Sequence, residues 1–486
     1  MAGKRAGAAV VAMVLLAGCG GKSPPATMEF QSRPDLMPPV VTVLARTGGV
    51  SPGYVFIAPK KDAPQRGPEI VDADGQPVWF DPVPDQVTDF RVQTYRGKPV
   101  LTWWEGPAAS PILGTGYGHF VIMDNSYRQV AQVEAGFGRD SGDLHEFKLT
   151  PRGTALLASY KTVAGSLRAL GGPRNARIAD SVVQEVDVQS GRVLFTWHSI
   201  DHVPVTESYI PLSGPGAPPE GNPYDYFHVN SIEEEPDGNL LISARNTCAV
   251  YELDRKTGAI LWRLGGKKSS FEMGRGTTFA WQHDARRMPD GTITLFDNGA
   301  APPREKHSRA LRLRLDMKGK TASLVRADVS PAGVLASSQG DAQTLENGHV
   351  FVGWGAVPRF TEFSADGSVV YDATFSDGDD SYRAYRFRWS AAPTTRPSIE
   401  VDAGGGDKAT IYASWNGATE VAAWRVVAGD AADRLAPVGR AQAKAGFETK
   451  LEAGSKAPYL AVEALDAGGN VLGRSAAVQR GGLAIG

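Results

Sequence analysis

The residues best placed to do chemistry are three histidines that recur at matching positions in separate hairpins. His145 lies eight residues before Gly153, His228 ten before Gly238, and His283 eight before Gly291. Each glycine closes a tight turn: Pro151-Arg152-Gly153, Pro236-Asp237-Gly238 or Pro289-Asp290-Gly291. On the antiparallel return the residue seven beyond each glycine comes back to the level of the histidine, and those residues are Tyr160, Arg245 and Asn298.

Three chemistries suit such a set. Three imidazoles can hold zinc. Only Glu146 and Asp284 adjoin them as carboxylates that would orient such ligands, and an arginine aimed inward repels a cation. In a second reading Arg245 forks onto a tetrahedral oxyanion, with His228 and His145 as further donors. In a third, a neutral imidazole attacks phosphorus or sulfur and carries the group covalently. His119, His198, His202, His307 and His349 share no register and read as surface or loop residues.

A repeated β unit must position these side chains. Asp-type turns recur at Asp72-Ala73-Asp74-Gly75, Asp124-Asn125-Ser126, Asp187 to Gly191, Asp254 to Gly258, Asp316 to Gly319 and Ser364 to Gly367, each between alternating apolar strands. The His-bearing hairpins, and one at Glu346-Asn347-Gly348, fall between them. Two hairpins per unit predict four-stranded sheets repeated radially, an all-β fold with a six-bladed β-propeller over residues 51–392. The first strand of each blade lines the channel, so the three histidines are expected at one mouth. From 393 to 486 the chain is Gly- and Ala-rich. Strands expected over Thr410 to Trp415, Val421 to Val427, Phe447 to Leu451 and Tyr459 to Leu465 predict a small C-terminal β-sandwich, fibronectin type III-like.

Lys4, Arg5, a short apolar run and Leu16-Ala17-Gly18-Cys19 have the form of a lipoprotein signal peptide over residues 1–18, with Cys19 as the lipidated residue. The run is shorter than the roughly 20 residues of a membrane-spanning helix. A tether and lead-in would follow over 19–50. The expected protein is an exported lipoprotein, attached to the cell-envelope membrane through its N-terminal lipid. Cleavage removes Lys4 and Arg5 and moves the formal charge from −2 to −4, which does not favour nucleic acid as a partner. Cys248 is then the one remaining thiol.

The stretch Asp225-Tyr226-Phe227-His228-Val229-Asn230-Ser231-Ile232, with Ile242-Ser243-Ala244-Arg245-Asn246 and Ile260-Leu261-Trp262-Arg263-Leu264-Gly265-Gly266, resembles the bacterial arylsulfotransferases. So does Phe279-Ala280-Trp281-Gln282-His283-Asp284-Ala285-Arg286, running on through Pro289-Asp290-Gly291 to Asp297-Asn298-Gly299. The resemblance implies a six-bladed propeller that moves a sulfuryl group from an aryl sulfate ester to a phenolic acceptor through a sulfohistidine. It implies neither a nucleotide donor, a metal nor another cofactor. By the same resemblance His283 is the nucleophile, His228 the oxyanion and leaving-group partner, Arg245 the sulfuryl clamp and His145 the further histidine of the funnel. Tyr160, Asn298 and Trp281 are expected to bind substrate, with Trp103 and Trp104 as further candidate walls for a phenol ring. An adjacent arginine also favours the neutral imidazole that attack requires.

Two other motifs read as ordinary structure. Gly265-Gly266-Lys267-Lys268-Ser269 lacks the leading glycine of a phosphate loop, since Leu261 stands there. The acidic run Asp377-Gly378-Asp379-Asp380 reads as a solvated turn.

Overall fold

Short apolar runs that alternate with polar residues and end at Asp, Asn and Gly turns fold as antiparallel strands through nearly all of the chain. The computed structural model describes residues 26–107, 110, 114–376, 378–403 and 406–486. Cys19 and the export-signal segment lie outside the described residues. Among these, no helix is long and apolar enough to cross a membrane.

Six sheets of four or five strands come first. The second pairs Gln86–Tyr95, Lys98–Gly106, His119–Met123 and Gln129–Val133 in chain order. The third repeats the pattern with Phe147–Leu149, Thr154–Gly165, Ala176–Asp187 and Val193–His198. The fourth uses Val229–Glu234, Leu240–Ala244, Ala249–Leu253 and Ile260–Gly265. The fifth uses His283–Arg287, Ile293–Asp297, Arg309–Asp316 and Thr321–Val329.

Turn chemistry sets this order. The Pro-Arg-Gly and Pro-Asp-Gly turns join first strands to second strands, and Gly153 N–H donates to Thr150 O at 3.1 Å. The Asp turns join third strands to fourth. The Asp124 carboxylate accepts the N–H groups of Ser126 and Arg128, and Asp72, Asp254 and Asp316 act alike. An Asp that binds the backbone two residues on offers the chain a ready-made bend.

The first and sixth sheets each borrow a strand from far away in sequence. Tyr385–Phe387 pairs with Tyr54–Ile57, beyond which lie Glu69–Val71 and Pro77–Phe80. Thr42–Arg46 pairs with Val369–Thr374, outside Arg359–Phe363, Val350–Gly353 and Asp341–Thr344. The lead-in therefore supplies a strand. It also buries Phe30 and Leu36 against Phe80 and Phe447.

Neighbouring sheets enclose separate apolar clusters. Leu156 and Ile178 of the third meet Ile232 and Ile242 of the fourth, while Val55 and Ile57 of the first meet Phe351 and Phe360 of the sixth. Each such side chain contributes about 1.5–3 kcal/mol on burial. First strands of successive sheets also touch: Gln86–Tyr95 meets Phe147–Leu149, which meets Val229–Glu234, which meets His283–Arg287.

Beyond residue 392 two further sheets face each other. Ile399, Ile411 and Leu451 from one pack on Trp424, Val426 and Leu460 from the other. Tyr459–Leu465 has the bounds expected from sequence, whereas Lys408–Ser414, Ala423–Ala431 and Glu448–Gly454 begin and end a few residues from theirs. Asn416 ties this part to the first sheet. Its Oδ1 accepts Phe80 N–H at 3.0 Å and its Nδ2 donates to Phe80 O at 2.8 Å.

Candidate active site

His145, His228 and His283 meet where the first strands begin. His145 stands two residues before Phe147–Leu149, His228 one before Val229–Glu234, and His283 opens His283–Arg287. The His145 and His228 rings lie edge to face, 4.7 Å between centroids. The return residues arrive as the spacing predicts. Arg245 N–H donates to His228 O at 2.9 Å, and His283 Nδ1 meets Asn298 Oδ1 at 2.7 Å.

That last contact fixes a tautomer. Asn298 Nδ2 donates to Ala336 O at 3.2 Å and to Gln339 O at 3.0 Å, so its Oδ1 is the atom facing the imidazole. An amide oxygen only accepts, so His283 Nδ1 carries the proton and Nε2 the lone pair. Gln339 N–H approaches that lone pair at 3.3 Å. Burial, and after it the Arg245 charge, hold the His283 pKa well below the ordinary histidine value, and the ring is neutral.

The other two histidines are held by carboxylates instead. Asp143 Oδ1 meets His145 Nδ1 at 2.5 Å, and Asp225 Oδ2 is bonded to His228 Nδ1. Burial outweighs Asp143 and lowers the His145 pKa as well. Reading only adjacent residues missed these partners, which precede their histidines by two and three positions.

Glu146 and Asp284, the carboxylates singled out from sequence, turn away into a buried ionic network. Arg383 reaches Asp89 Oδ1 at 2.7 Å, Arg286 reaches Glu146 Oε2 at 2.6 Å and donates from Nε to Asp284 Oδ1 at 2.9 Å, and Arg91 pairs with Glu146. Asp89 and Asp284 both have φ 55° at bulges in their first strands, a distortion that re-aims a side chain. Burial, then the Asp284 charge, push the Asp341 carboxyl well above its usual range. Three guanidinium groups thus balance three carboxylates, which a dry interior requires.

The network borders one of two cavities. The larger, of about 1210 Å³, is lined by Arg91, Asp284 and Arg286 and by turns such as Pro236-Asp237-Gly238, and none of the three histidines borders it. The smaller, of about 650 Å³, is lined by all three. Its walls are apolar, with Leu144, Ile210, Pro218, Pro219 and Pro223, and Lys60 and Lys61 also border it. Arg245 enters over the Trp281 ring at 5.1 Å. It donates to Asn246 Oδ1 at 2.9 Å and Ser337 O at 3.3 Å. Among the described residues its guanidinium forms no ion pair with a carboxylate.

Residues 91–376 match the family model described as arylsulfotransferase (ASST). That span exceeds half of the chain and contains His145, His228, Arg245, His283 and Asn298. The chain belongs to the arylsulfotransferase family. No curated protein sequence matches it. Among solved structures, similar chains include a protein of unknown function from Bacteroides caccae, 15% identical over 69% of this chain and 98% of that one, with a TM-score of 0.40. A protein from Lactobacillus plantarum is 12% identical over 82% and 99%, at 0.35. Virginiamycin B lyase from Staphylococcus aureus is 8% identical over 76% and 94%, at 0.33.

In this member of the arylsulfotransferase family several expected residues stand one layer behind the cavity. Tyr160 spends its hydroxyl on Val229 O at 2.9 Å. Trp281 is fully buried, donates to Pro302 O at 3.0 Å and supports Arg245 from beneath. Asn298 is buried and holds His283, while Trp103 and Trp104 are core. None of these lines the cavity.

Sequence reasoning missed Lys60, Gln339 and Tyr382, which do line it. They fall outside the repeated turns, so no register announced them. Lys60 Nζ donates to Gln339 Oε1 at 2.7 Å and pairs with Asp380. Asp379 and Asp380 are buried partners of the Lys60-Lys61 segment, not a solvated turn, and Asp377 lies outside the described residues. His119 is likewise a strand residue. With Glu134 and Asp140 it forms the one group, among the described residues, whose ligand atoms lie within 4.8 Å of one another. That group does not include the three site histidines.

Proposed function

We propose that this protein transfers a sulfuryl group from an aryl sulfate to a phenol by two successive displacements at His283 Nε2. The observation that carries the reading is the Asn298 contact, which keeps the proton on Nδ1 and the lone pair on Nε2 of a neutral, cavity-lining imidazole. In the first step Nε2 attacks sulfur, the N–S bond forms, and the S–O bond to the aryl group breaks. The departing oxygen keeps the electron pair and takes a proton from His228, whose Nδ1 is held by Asp225. In the second step the acceptor phenol returns a proton to His228, its oxygen attacks sulfur, and the N–S bond breaks to free His283. Arg245 forks onto the equatorial oxygens, where charge grows in both transition states. His145 is the further histidine of the pocket, and the aliphatic and proline walls suit an aromatic ring.

With a chromogenic aryl sulfate, release of the donor phenol should rise with added acceptor phenol. H283A should abolish it, and mass spectrometry of quenched wild type should find a labile sulfuryl adduct on the peptide containing His283. Release indifferent to acceptor would instead make the protein a hydrolase, and saturable binding without release a receptor for sulfated ligands.

The same reading takes the six sheets as the blades of a six-bladed β-propeller over residues 51–392, with 393–486 as a fibronectin type III-like module. The apolar cluster joining sixth sheet to first supports a closed ring. Leu16-Ala17-Gly18-Cys19 supports an exported lipoprotein anchored to the envelope through Cys19. Palmitate labelling of wild type, absent from C19S, is its check.

A further inference from the structure

Tyr382 stands in the connection that leads from Val369–Thr374 to the closing strand Tyr385–Phe387, beyond the residues that match the arylsulfotransferase model. It is 1% exposed, yet it borders the histidine cavity. Its ring meets His145 edge on at 5.5 Å and His283 at 6.4 Å between centroids. Its carbonyl accepts Gly340 N–H at 2.9 Å, which fixes it beside the Gln339 segment that approaches His283 Nε2. Among the described residues its hydroxyl has no hydrogen-bond partner. Tyr160, similarly buried and also near His145, spends its hydroxyl on a backbone carbonyl. A buried hydroxyl without a partner is costly, and such groups persist where a ligand or a water completes them.

Resting on the sulfuryl-transfer reading above, we propose that Tyr382 is a catalytic residue whose O–H donates a hydrogen bond to an oxygen of the transferring sulfuryl group. The chemistry of the pocket favours that ligand atom. A sulfuryl group in flight has three equatorial oxygens. The Arg245 fork serves two, and a neutral donor beside His283 serves the third without competing for the proton that His283 must lack. No proton changes hands: the Tyr382 O–H bond stays intact while negative charge grows on the oxygen it faces. Burial, the largest influence on its phenol, raises the pKa well above the ordinary tyrosine value and keeps that donor protonated.

The test compares wild type with Y382F, which removes one oxygen and keeps the ring. Wild-type transfer is measured first; if it is absent, the sulfuryl-transfer reading fails and Y382F says nothing about the cause. With wild type active, Y382F should lower kcat/KM about 10- to 100-fold. The loss should be equal across aryl sulfates whose phenols differ in acidity, and inorganic sulfate should bind more weakly. The thermal midpoint should hold or rise, because the lost hydroxyl had no internal partner. A purely structural tyrosine gives the opposite pair, a lower midpoint with unchanged sulfate affinity, and that result overturns the proposal. So does wild-type kcat/KM in Y382F. A loss that deepens with poorer leaving groups would put the hydroxyl on the departing oxygen and overturn the contact proposed here.

Discussion

An imidazole that attacks sulfur must keep a lone pair at neutral pH, and two neighbours protect that of His283 by different means. Asn298 decides which nitrogen bears the proton, and burial together with Arg245 decides that there is only one. N298A should therefore cut kcat/KM about 10- to 100-fold, as loss of a ligand-orienting partner does, while leaving aryl sulfate affinity nearly intact. Steady-state kinetics checks it. The depressed pKa values of His283 and His145 also fix a sign. Unfolded, both rings take up a proton near pH 6.5; folded, they resist until lower pH, so below about 6.5 the unfolded chain binds more protons. Their contribution to stability is complete above that pH and is lost as pH falls through the window below it. Urea unfolding between pH 8 and 5 should show a shallower acid loss in H283N than in wild type. At this scale the histidines were legible because they share a register. Asp143 and Asp225 were less so, because an Nδ1 partner two or three residues back follows no repeat.

Strand elements carry the site through their starts, and the first strands that bear Asp89 and Asp284 are bent. Turns could be read directly, since Asp, Pro and Gly signal them within a few residues. The bulges at Asp89 and Asp284 could not, because one extra residue leaves the apolar alternation on either side intact. Those bulges aim carboxylates at Arg383, whose side chain is entirely buried. R383M should cost about 3–5 kcal/mol, because it leaves Asp89 and Asp284 buried without that partner. Denaturant unfolding measures it. D89N paired with R383M should recover part of the loss, since the variant pair buries one fewer uncompensated charge.

At the scale of the whole molecule, the sheets were legible as a repeat and the two long-range strand pairings were not. Nothing in Tyr385–Phe387 or Thr42–Arg46 marks either as a partner for a strand hundreds of positions away. Long-range pairing leaves no local trace, and the same holds for Asn416 on Phe80. Replacing Asn416 with Ala should lower stability by about 1–3 kcal/mol by leaving the Phe80 backbone groups unpaired, with little change in turnover. Thermal melts and kinetics on one preparation separate the two effects.

The borrowed strand of the first sheet has a consequence in time. All three histidines are synthesised well before Tyr382 and Tyr385–Phe387, so a growing chain holds its imidazoles while the cavity still lacks Tyr382 and the first sheet its borrowed strand. Chain fragments stopped before residue 382 should bind no sulfate, and binding should appear only once that last segment is added. Ligand capture is thus a clock for completion of the first sheet, readable on a series of truncated chains without following the fold itself.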